Sequence, residues 1–169
     1  MNKNGLEIER KFLIEYPSTE LLSSLCGVRV LKISQTYLKD DSRIRRVEEK
    51  GKVYYIKTVK KRISEITREE KEWEIGKEEY YSSLENKKVG TNTIEKIRYA
   101  VDIDGIIYEI DIFDFWNDRS FLEIELESEN QDIRIPSFIK VIKEVTFDSR
   151  YKNYSLANKI ITEEINKGK

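Results

Sequence analysis

The residues best suited to chemistry lie near the N-terminus, in the segment Glu7-Ile8-Glu9-Arg10-Lys11. Side chains alternate between the two faces of a β-strand, so Glu7, Glu9 and Lys11 would share one face. Adjacent carboxylates repel each other unless a cation lies between them, and Mg²⁺ prefers such oxygen ligands and shares them with phosphates. Charges of this kind are also typical of the solvent-exposed face of a sheet. Function is therefore indicated only if other strands repeat the pattern.

Composition limits the classes of protein to which the chain can belong. Its 169 residues suit one domain that spans residues 1–169, and 37% of them are charged. The 31 basic and 32 acidic residues nearly cancel, so we expect neither nucleic acid nor a membrane as a partner. The sequence has a single cysteine, Cys26, and shows no signal peptide and no membrane-spanning segment. We therefore predict a cytoplasmic protein and leave a homodimer open.

The residue types that are absent narrow the chemistry. The sequence contains no histidine, which removes the commonest general base and every histidine-based metal site. It also lacks a glycine-rich phosphate-binding loop of the P-loop or Rossmann kind. A metal ion would therefore be bound by oxygen atoms, and a phosphate by lysine and arginine side chains.

Alternation of polar and apolar residues predicts that most of the chain is β-sheet. Hairpin turns are expected at Lys50-Gly51-Lys52 and at Asp104-Gly105. Helical spacing predicts helices at 17–26 and 77–87 and a C-terminal amphipathic helix from Tyr151 to about Lys167. The predicted strands cover residues 5–15, 29–39, 42–49, 52–61, 64–75, 91–103, 106–115 and 120–128. The fold class is therefore α+β and mainly β, and eight antiparallel strands indicate a closed barrel or a strongly curled sheet.

Nearly every predicted strand has one apolar face and one ionic face. Ionic faces that pointed outward would be a solvated surface, whereas ionic faces that pointed inward would line a tunnel covered by helices. Three strands present mainly carboxylates and three mainly Lys and Arg, although a solvent-exposed face would mix the signs. The basic positions are Arg43, Arg45, Lys57, Lys96 and Arg98, and the acidic positions are Glu70, Glu72, Glu109, Asp111, Glu123 and Glu125. Because arginine binds phosphate through two hydrogen bonds, its repeated use also favours the tunnel.

Motifs along the whole chain resemble the CYTH superfamily, also called the triphosphate tunnel metalloenzymes. The segment from Glu7 to Leu13 resembles the family's signature of alternating Glu, Glu and Lys. Further similar segments follow in order: 35–38, 43–46, 55–58, 68–74, 95–99, 108–113, 122–126, 144–146 and 150–153. One departure is Ser149, where many small bacterial members have a lysine, so position 149 is not counted among the phosphate ligands.

The resemblance implies an eight-stranded antiparallel tunnel that binds a linear triphosphate with Mg²⁺ or Mn²⁺. Its leading interpretation is a metal-dependent triphosphatase that converts tripolyphosphate to pyrophosphate and phosphate. A class IV adenylyl cyclase, a thiamine triphosphatase and, outside the enzymes, a polyphosphate-binding module are the alternatives. The implied phosphate-binding residues are Lys11, Arg43, Arg45, Lys57, Lys96, Arg98 and Arg150. The implied metal-binding residues are Glu7, Glu9, Glu70, Glu72, Asp111, Glu123 and Glu125.

A general base must be found without histidine. Proton removal falls to a carboxylate or to a lysine whose pKa is lowered by neighbouring cations. Tyr37 and Lys57 are predicted on neighbouring strands, and Lys57 is the lysine we propose. The catalytic residues implied are Glu7, Glu9, Lys11, Tyr37 and Lys57. Three other basic residues are interpreted as surface charges: Arg46, Lys52 and Arg68.

Overall fold

The structure, a computed structural model, describes residues 5–165. The strands found in this part of the chain are β1 (Leu6–Glu15), β2 (Arg29–Tyr37), β3 (Arg43–Glu49), β4 (Lys52–Arg62), β5 (Thr67–Ile75), β6 (Ile94–Ile103), β7 (Ile106–Phe113), β8 (Arg119–Glu125) and β9 (Val141–Glu144). The helices are α1 (Thr19–Ser24), α2 (Lys77–Ser83) and α3 (Asn153–Asn158), and 3₁₀ turns cover Leu84–Asn86 and Ser149–Tyr151. The helices predicted at 17–26 and 77–87 are therefore present with shorter bounds.

All the strands belong to one antiparallel sheet, in the order β5-β4-β3-β2-β6-β7-β8-β1-β9. The sheet closes on itself because β1 also pairs with β5, over three residue pairs that begin at Leu6 and Glu69. Beyond this short contact, the same edge of β1 pairs with β9, with Phe12 opposite Glu144. The predicted closed eight-stranded antiparallel barrel is confirmed, and β9 is an additional strand that the alternation pattern did not predict.

Two tight hairpins set the register of the barrel. Lys50 and Gly51 have φ values of 49° and 77°, and Asp104 and Gly105 have 55° and 81°. Two central residues with positive φ define the type I′ turn, whose twist suits antiparallel strands. Both predicted turns are confirmed. Because each loop has only two residues, it determines every pair that follows, such as Arg45 opposite Ile56.

The apolar faces of the strands pack outward, as the tunnel hypothesis requires. On β7 and β8, Ile110 and Leu122 are fully buried in a core on the outside of the barrel wall. Helix α1 covers this core with Leu22, and Ile139 covers it from the segment that leads to β9. The neighbouring residue Glu123 therefore points into the barrel. Burial of these apolar side chains stabilises a wall whose other face carries charge.

The C-terminal helix is shorter than the sequence predicts. Helix α3 covers six residues, and 159–165 continue without helix, so the prediction of a helix to about Lys167 was wrong up to residue 165; the remainder lies outside the described residues. The backbone carbonyl of Ile161 accepts a hydrogen bond of 2.8 Å from Trp116, and that of Glu163 accepts one of 2.7 Å from Arg119. These bonds engage carbonyls that a helix would use itself, so tertiary contacts override the local propensity. Within residues 5–165, no helix has the length and apolar character needed to cross a membrane.

The first prediction concerns the β6–β7 hairpin. Gly105→Ala should lower the free energy of unfolding by about 1 kcal/mol, because a Cβ is strained at a φ of 81°. The matched variant Gly105→Asn should lose less, since asparagine tolerates the left-handed region. Urea denaturation of the three proteins measures the difference, and equal stabilities would contradict the turn geometry.

Candidate active site inside the barrel

The barrel encloses a cavity of about 410 Å³ to which all eight of its strands contribute side chains. Most of the ionic faces predicted from the sequence point inward, as proposed; the exception is β4. The basic residues that line the cavity include Lys11, Arg43, Arg45, Lys60, Lys96 and Arg98. The acidic residues that line it include Glu7, Glu9, Glu70, Glu72, Glu109, Glu123 and Glu125. Positive and negative groups thus share one enclosed volume.

One wall is an ion-pair network centred on Asp111, whose side chain is fully buried. Asp111 accepts hydrogen bonds from Lys96 Nζ at 2.6 Å and from Arg98 Nε and NH2 at 2.7 and 2.8 Å. Arg98 also contacts Glu109 at 2.5 Å and Glu123 at 3.1 Å. Although burial favours the neutral acid, Arg98 and Lys96 lower the pKa of Asp111. Because both of its oxygens are engaged by cations, Asp111 is suited to anchor Lys96 and Arg98.

Strand β3, which β2 separates from β6, carries cations with unused hydrogen-bond donors. Arg45 pairs with Glu72 at 2.5 Å, and that carboxylate also accepts a hydrogen bond of 3.0 Å from Thr58. The Nε atoms of Arg43 and Arg45 are buried, and within residues 5–165 neither has a hydrogen-bond partner. Buried donors of this kind are costly unless they are satisfied. An anion in the cavity would supply the missing acceptors.

Glu9 is the residue on which a cation would have the largest effect. Protein surrounds it on the inside of the barrel, and burial, followed by the charges of Glu123 and Glu7, raises its pKa to about 8. Its cross-strand neighbour on β8 is Glu125. This donor set of crowded carboxylate oxygens fits a hard divalent cation, which would lower the pKa of Glu9 again.

The carboxylates near Glu9 form ion pairs with lysines in this structure. Lys11 pairs with Glu123 at 3.0 Å, and Lys60 pairs with Glu7 at 2.5 Å and with Glu70 at 2.9 Å. Within the described part of the chain, no three acidic side chains already form a metal-binding cluster. Metal binding therefore requires these lysines to leave the carboxylates, and phosphate oxygens are the natural alternative partners for them.

The structure corrects the position predicted for Lys57. This residue lies on the outer face of β4, where its Nζ is 3.4 Å from Asp40 Oδ2. The β3–β4 hairpin places Thr58 opposite Arg43, so even-numbered residues of β4 face the cavity. Lys60 is the lysine that β4 contributes instead. Sequence reasoning missed it, although the two-residue turn at Lys50-Gly51 and the inward arginines of β3 were sufficient to fix this register.

Tyr37 lines the cavity, but it is not on a strand next to Lys57 as predicted. Strand β3 lies between β2 and β4. The Tyr37 hydroxyl accepts a hydrogen bond of 2.9 Å from the Gln35 side chain. Burial raises the pKa of Tyr37, with Arg43 opposing that effect. The pairing of Tyr37 with a lysine base is therefore not present.

Two basic residues near the ends of the barrel also differ from expectation. Arg150 is exposed and pairs with Asp148 at 2.7 Å outside the cavity lining, so the structure does not bring it together with the other predicted phosphate-binding residues. Lys152 lines the cavity in its place. Arg68, interpreted from the sequence as a surface charge, lines the cavity too. The other two residues interpreted in that way, Arg46 and Lys52, are outside the lining.

The match to a known family covers most of the chain. The model of the CYTH domain matches residues 5–150. The chain belongs to the CYTH family. A curated CYTH relative from Acetivibrio thermocellus, named inorganic triphosphatase, is 36% identical over 157 residues, which cover 90% of this chain and 93% of the relative.

Solved structures agree with this membership of the CYTH family. The crystal structure of an inorganic triphosphatase superposes with a TM-score of 0.54 at 27% identity, covering 90% of this chain and 94% of the other. A conserved hypothetical protein from Pyrococcus furiosus has a TM-score of 0.51 at 20% identity, covering 73% of this chain and 80% of the other. The second likeness supports the fold alone.

The second prediction concerns Glu9 in the metal-free protein. Its pKa of about 8 exceeds the ordinary value of 4.5, so folding binds a proton and the wild-type protein loses stability as pH rises between those values. Glu9→Gln cannot ionise, and its amide can donate to the neighbouring carboxylates. In chelator, the variant should match the wild-type protein near pH 4 and exceed its free energy of unfolding by about 1–3 kcal/mol at pH 8.

Urea denaturation across this pH range measures the effect. Glu85→Gln is the matched control, because Glu85 is exposed and the same change there should leave the pH dependence as it is. A Glu9→Gln variant that unfolds, or that gains no stability at pH 8, would show that Glu9 is not a crowded carboxylate.

Proposed function

We propose that this protein is a metal-dependent triphosphatase that hydrolyses inorganic tripolyphosphate to pyrophosphate and phosphate. The observation that carries the proposal is the convergence of Lys and Arg side chains from separate strands on one enclosed cavity, beside a carboxylate cluster. The 36% identity to a relative named inorganic triphosphatase supports the same reaction. The substrate is a small molecule, and we propose neither nucleic acid nor membrane as a partner.

A linear triphosphate complements the charges of the cavity. Arg43 and Arg45 have buried Nε donors that lack partners among the described residues, and Lys96 and Arg98 face the same cavity from β6. Arginine side chains held by carboxylates are already oriented, so little side-chain entropy is lost when they bind phosphate oxygens. In phosphoryl transfer such positioning and electrostatic stabilisation make up most of the catalytic effect.

We propose Mg²⁺ or Mn²⁺ as the metal, held by Glu7, Glu9, Glu123 and Glu125, with Glu70 and Glu72 as further ligands. When bound, such an ion would neutralise charge on the leaving pyrophosphate and lower the pKa of a water molecule. We assign Asp111 to the orientation of Lys96 and Arg98 and remove it from the metal ligands.

The lysines in the cavity change partners in this scheme. In the free protein Lys11 and Lys60 neutralise Glu123 and Glu7. When substrate and cation enter together, the ammonium groups turn to phosphate oxygens and release the carboxylates. Phosphate oxygens would then pair with the lysines and the cation with the carboxylates, which avoids leaving a buried charge unpaired.

The general base must be sought among groups that titrate near neutral pH. Lys57 lies outside the barrel and is removed from this role. Burial and Arg98 lower the pKa of Lys96 to about 8, and burial raises the pKa of Glu109 to about 7. A base is most effective when its pKa lies near the working pH. Both side chains line the cavity, so we propose these two residues as the candidates, since Glu9, whose pKa is also raised to about 8, is assigned to the metal.

Three properties stay predictions. We propose a cytoplasmic location from the single cysteine of the sequence. The extent of one domain over 1–169 is a prediction, of which the CYTH match covers 5–150. A homodimer is a prediction that size-exclusion chromatography with light scattering would test.

The third prediction tests the reaction itself. Purified protein should release phosphate and pyrophosphate from tripolyphosphate with a higher kcat/KM than from ATP or thiamine triphosphate, with Mg²⁺ or Mn²⁺ present. Turnover should stop in excess chelator, because the proposed ligands are all oxygen atoms. Ion chromatography measures the products, and cyclic AMP is monitored in the ATP reaction. Undiminished turnover in chelator, or cyclic AMP as the main product, would exclude the proposed function.

The fourth prediction compares two lysines of the same strand. Lys60→Met should lower kcat/KM for tripolyphosphate by about 10- to 100-fold, because it removes a cation that faces the cavity. Lys57→Met should change kcat/KM by less than about twofold, because Lys57 faces outward. Circular dichroism checks that both variants fold. Equal losses in the two variants would contradict the register of β4.

A further inference from the structure

Towards the β3–β4 hairpin, the residues that line the cavity change from basic or polar to largely apolar on four neighbouring strands, β6, β2, β3 and β4. The change runs from Arg98 to Ala100, from Tyr37 to Ile33 and Leu31, from Arg45 to Val47, and from Thr58 to Ile56 and Tyr54. It is staggered between strands, since Leu31 lies opposite Arg98 and Ile56 lies opposite Arg45. We call these five aliphatic residues and one tyrosine the apolar floor: Leu31, Ile33, Val47, Tyr54, Ile56 and Ala100.

The apolar floor is packed against itself rather than open. Its members form one hydrophobic cluster, in which Leu31, Ile33 and Val47 are 8%, 2% and 1% exposed. Side chains so completely covered leave little room for a ring or another large group between them. Arg29 also lines this end of the cavity, but it already forms an ion pair with Glu49 at 2.8 Å.

The opposite end of the cavity has a different character. Along β4 the inward positions lead from Ile56 to Lys60, away from the hairpin. Arg68 and Lys152 line the cavity beyond them. Burial, followed by Arg68 and Arg62, lowers the pKa of Lys152, which reflects basic groups gathered around it. Several basic residues therefore continue the lining in this direction, whereas at the floor end the basic residue of the lining is Arg29, which is paired with Glu49.

This asymmetry constrains a linear polyphosphate. A phosphate that moved past Arg45 and Arg98 would bury its charge among aliphatic side chains, where the Tyr54 hydroxyl is the one side-chain donor of the apolar floor, and this is strongly unfavourable. We propose that the apolar floor is an end stop. The terminal phosphate rests beside Arg45 and Arg98, and phosphates beyond the third extend past Lys60 towards Arg68 and Lys152. The inference rests on the proposed function and adds a residue set that fixes which bond is cut.

The chemical step is the same for each chain length. The oxygen of a water molecule bonds to one phosphorus atom, and the bridging P–O bond of that phosphorus breaks. The leaving phosphate keeps the bridging oxygen, and one proton of the water passes to the base and then to solvent. With an end stop, the broken bond always lies at the same distance from the terminal phosphate.

Linear tetrapolyphosphate shows whether the polyphosphate chain binds at one fixed position in the cavity or at several. Cleavage of an outer bond gives phosphate and tripolyphosphate, whereas cleavage of the central bond gives two pyrophosphates. An end stop predicts that the first turnover of the wild-type protein releases one of these pairs and not the other. Tripolyphosphate cannot report the register, because both of its bonds give the same products.

Variants of the floor provide the fifth prediction. Ile56→Lys places an ammonium group within the apolar floor, so a chain can advance by one phosphate, and the ratio of the two product pairs should shift by about tenfold. Val59→Lys is the matched control, since Val59 is on the outer face of β4 and 42% exposed; its products should equal those of the wild-type protein. Val47→Thr conserves volume and should shift the ratio in the same direction if Ile56→Lys does not fold.

The products of the first turnover are separated by ion chromatography after rapid quenching. A wild-type protein that releases both pairs, or a floor variant with unchanged products, would overturn the end stop. Failure to cleave tetrapolyphosphate while tripolyphosphate is cleaved would overturn it as well. Failure to cleave tripolyphosphate would instead exclude the proposed function, so the two hypotheses fail separately.

Discussion

Charge compensation in an enclosed space is the constraint on which this structure depends. Groups that face the inside of a closed barrel cannot be fully hydrated, so each needs a partner of opposite sign on a nearby strand. The network around Asp111 satisfies Lys96 and Arg98, and Glu72 satisfies part of Arg45. The fold supplies these partners because it brings basic strands close to acidic ones, as with β6 beside β7 and β3 across β4 from β5. Stability and site chemistry therefore draw on the same side chains.

Buried charges and donors that lack a partner indicate where ligands bind. Arg43 and Arg45 keep buried Nε donors without partners among the described residues. Burial, followed by the charges of neighbouring carboxylates, raises the pKa of Glu9 to about 8. A packed core would remove such groups, whereas a site for an anion and a cation needs them. The same groups would be satisfied together only when both ligands are present, so the two should bind cooperatively.

Alternation in the sequence was sufficient to predict the strands and a closed barrel or a strongly curled sheet. The inward direction of most ionic residues was favoured by the sorting of charges between strands, and the closed tunnel was implied by the resemblance to the CYTH superfamily. The assignment of Lys57 failed because both faces of β4 carry a lysine, so period could not choose between Lys57 and Lys60. The register of the β3–β4 hairpin could have shown that Lys60 faces the cavity. The long C-terminal helix failed for another reason: the carbonyl of Ile161 bonds to Trp116, a residue distant in the sequence. Ion-pair partners within the cavity likewise depend on strand order, which local patterns do not contain.

The short contact between β1 and β5 makes this junction the place where the closed barrel is least stable against local opening. Three residue pairs join these strands, whereas the other neighbours within the barrel share longer ladders. Lys60 bridges this junction from inside, since it contacts Glu7 on β1 and Glu70 on β5. Local opening would begin here, and amide hydrogens of Leu6–Ile8 would exchange with solvent sooner than those elsewhere in the wall. A ligand that draws Lys60 away from both carboxylates would therefore change how often the barrel opens at this junction. Binding inside the cavity could then be followed by amide hydrogen exchange at β1.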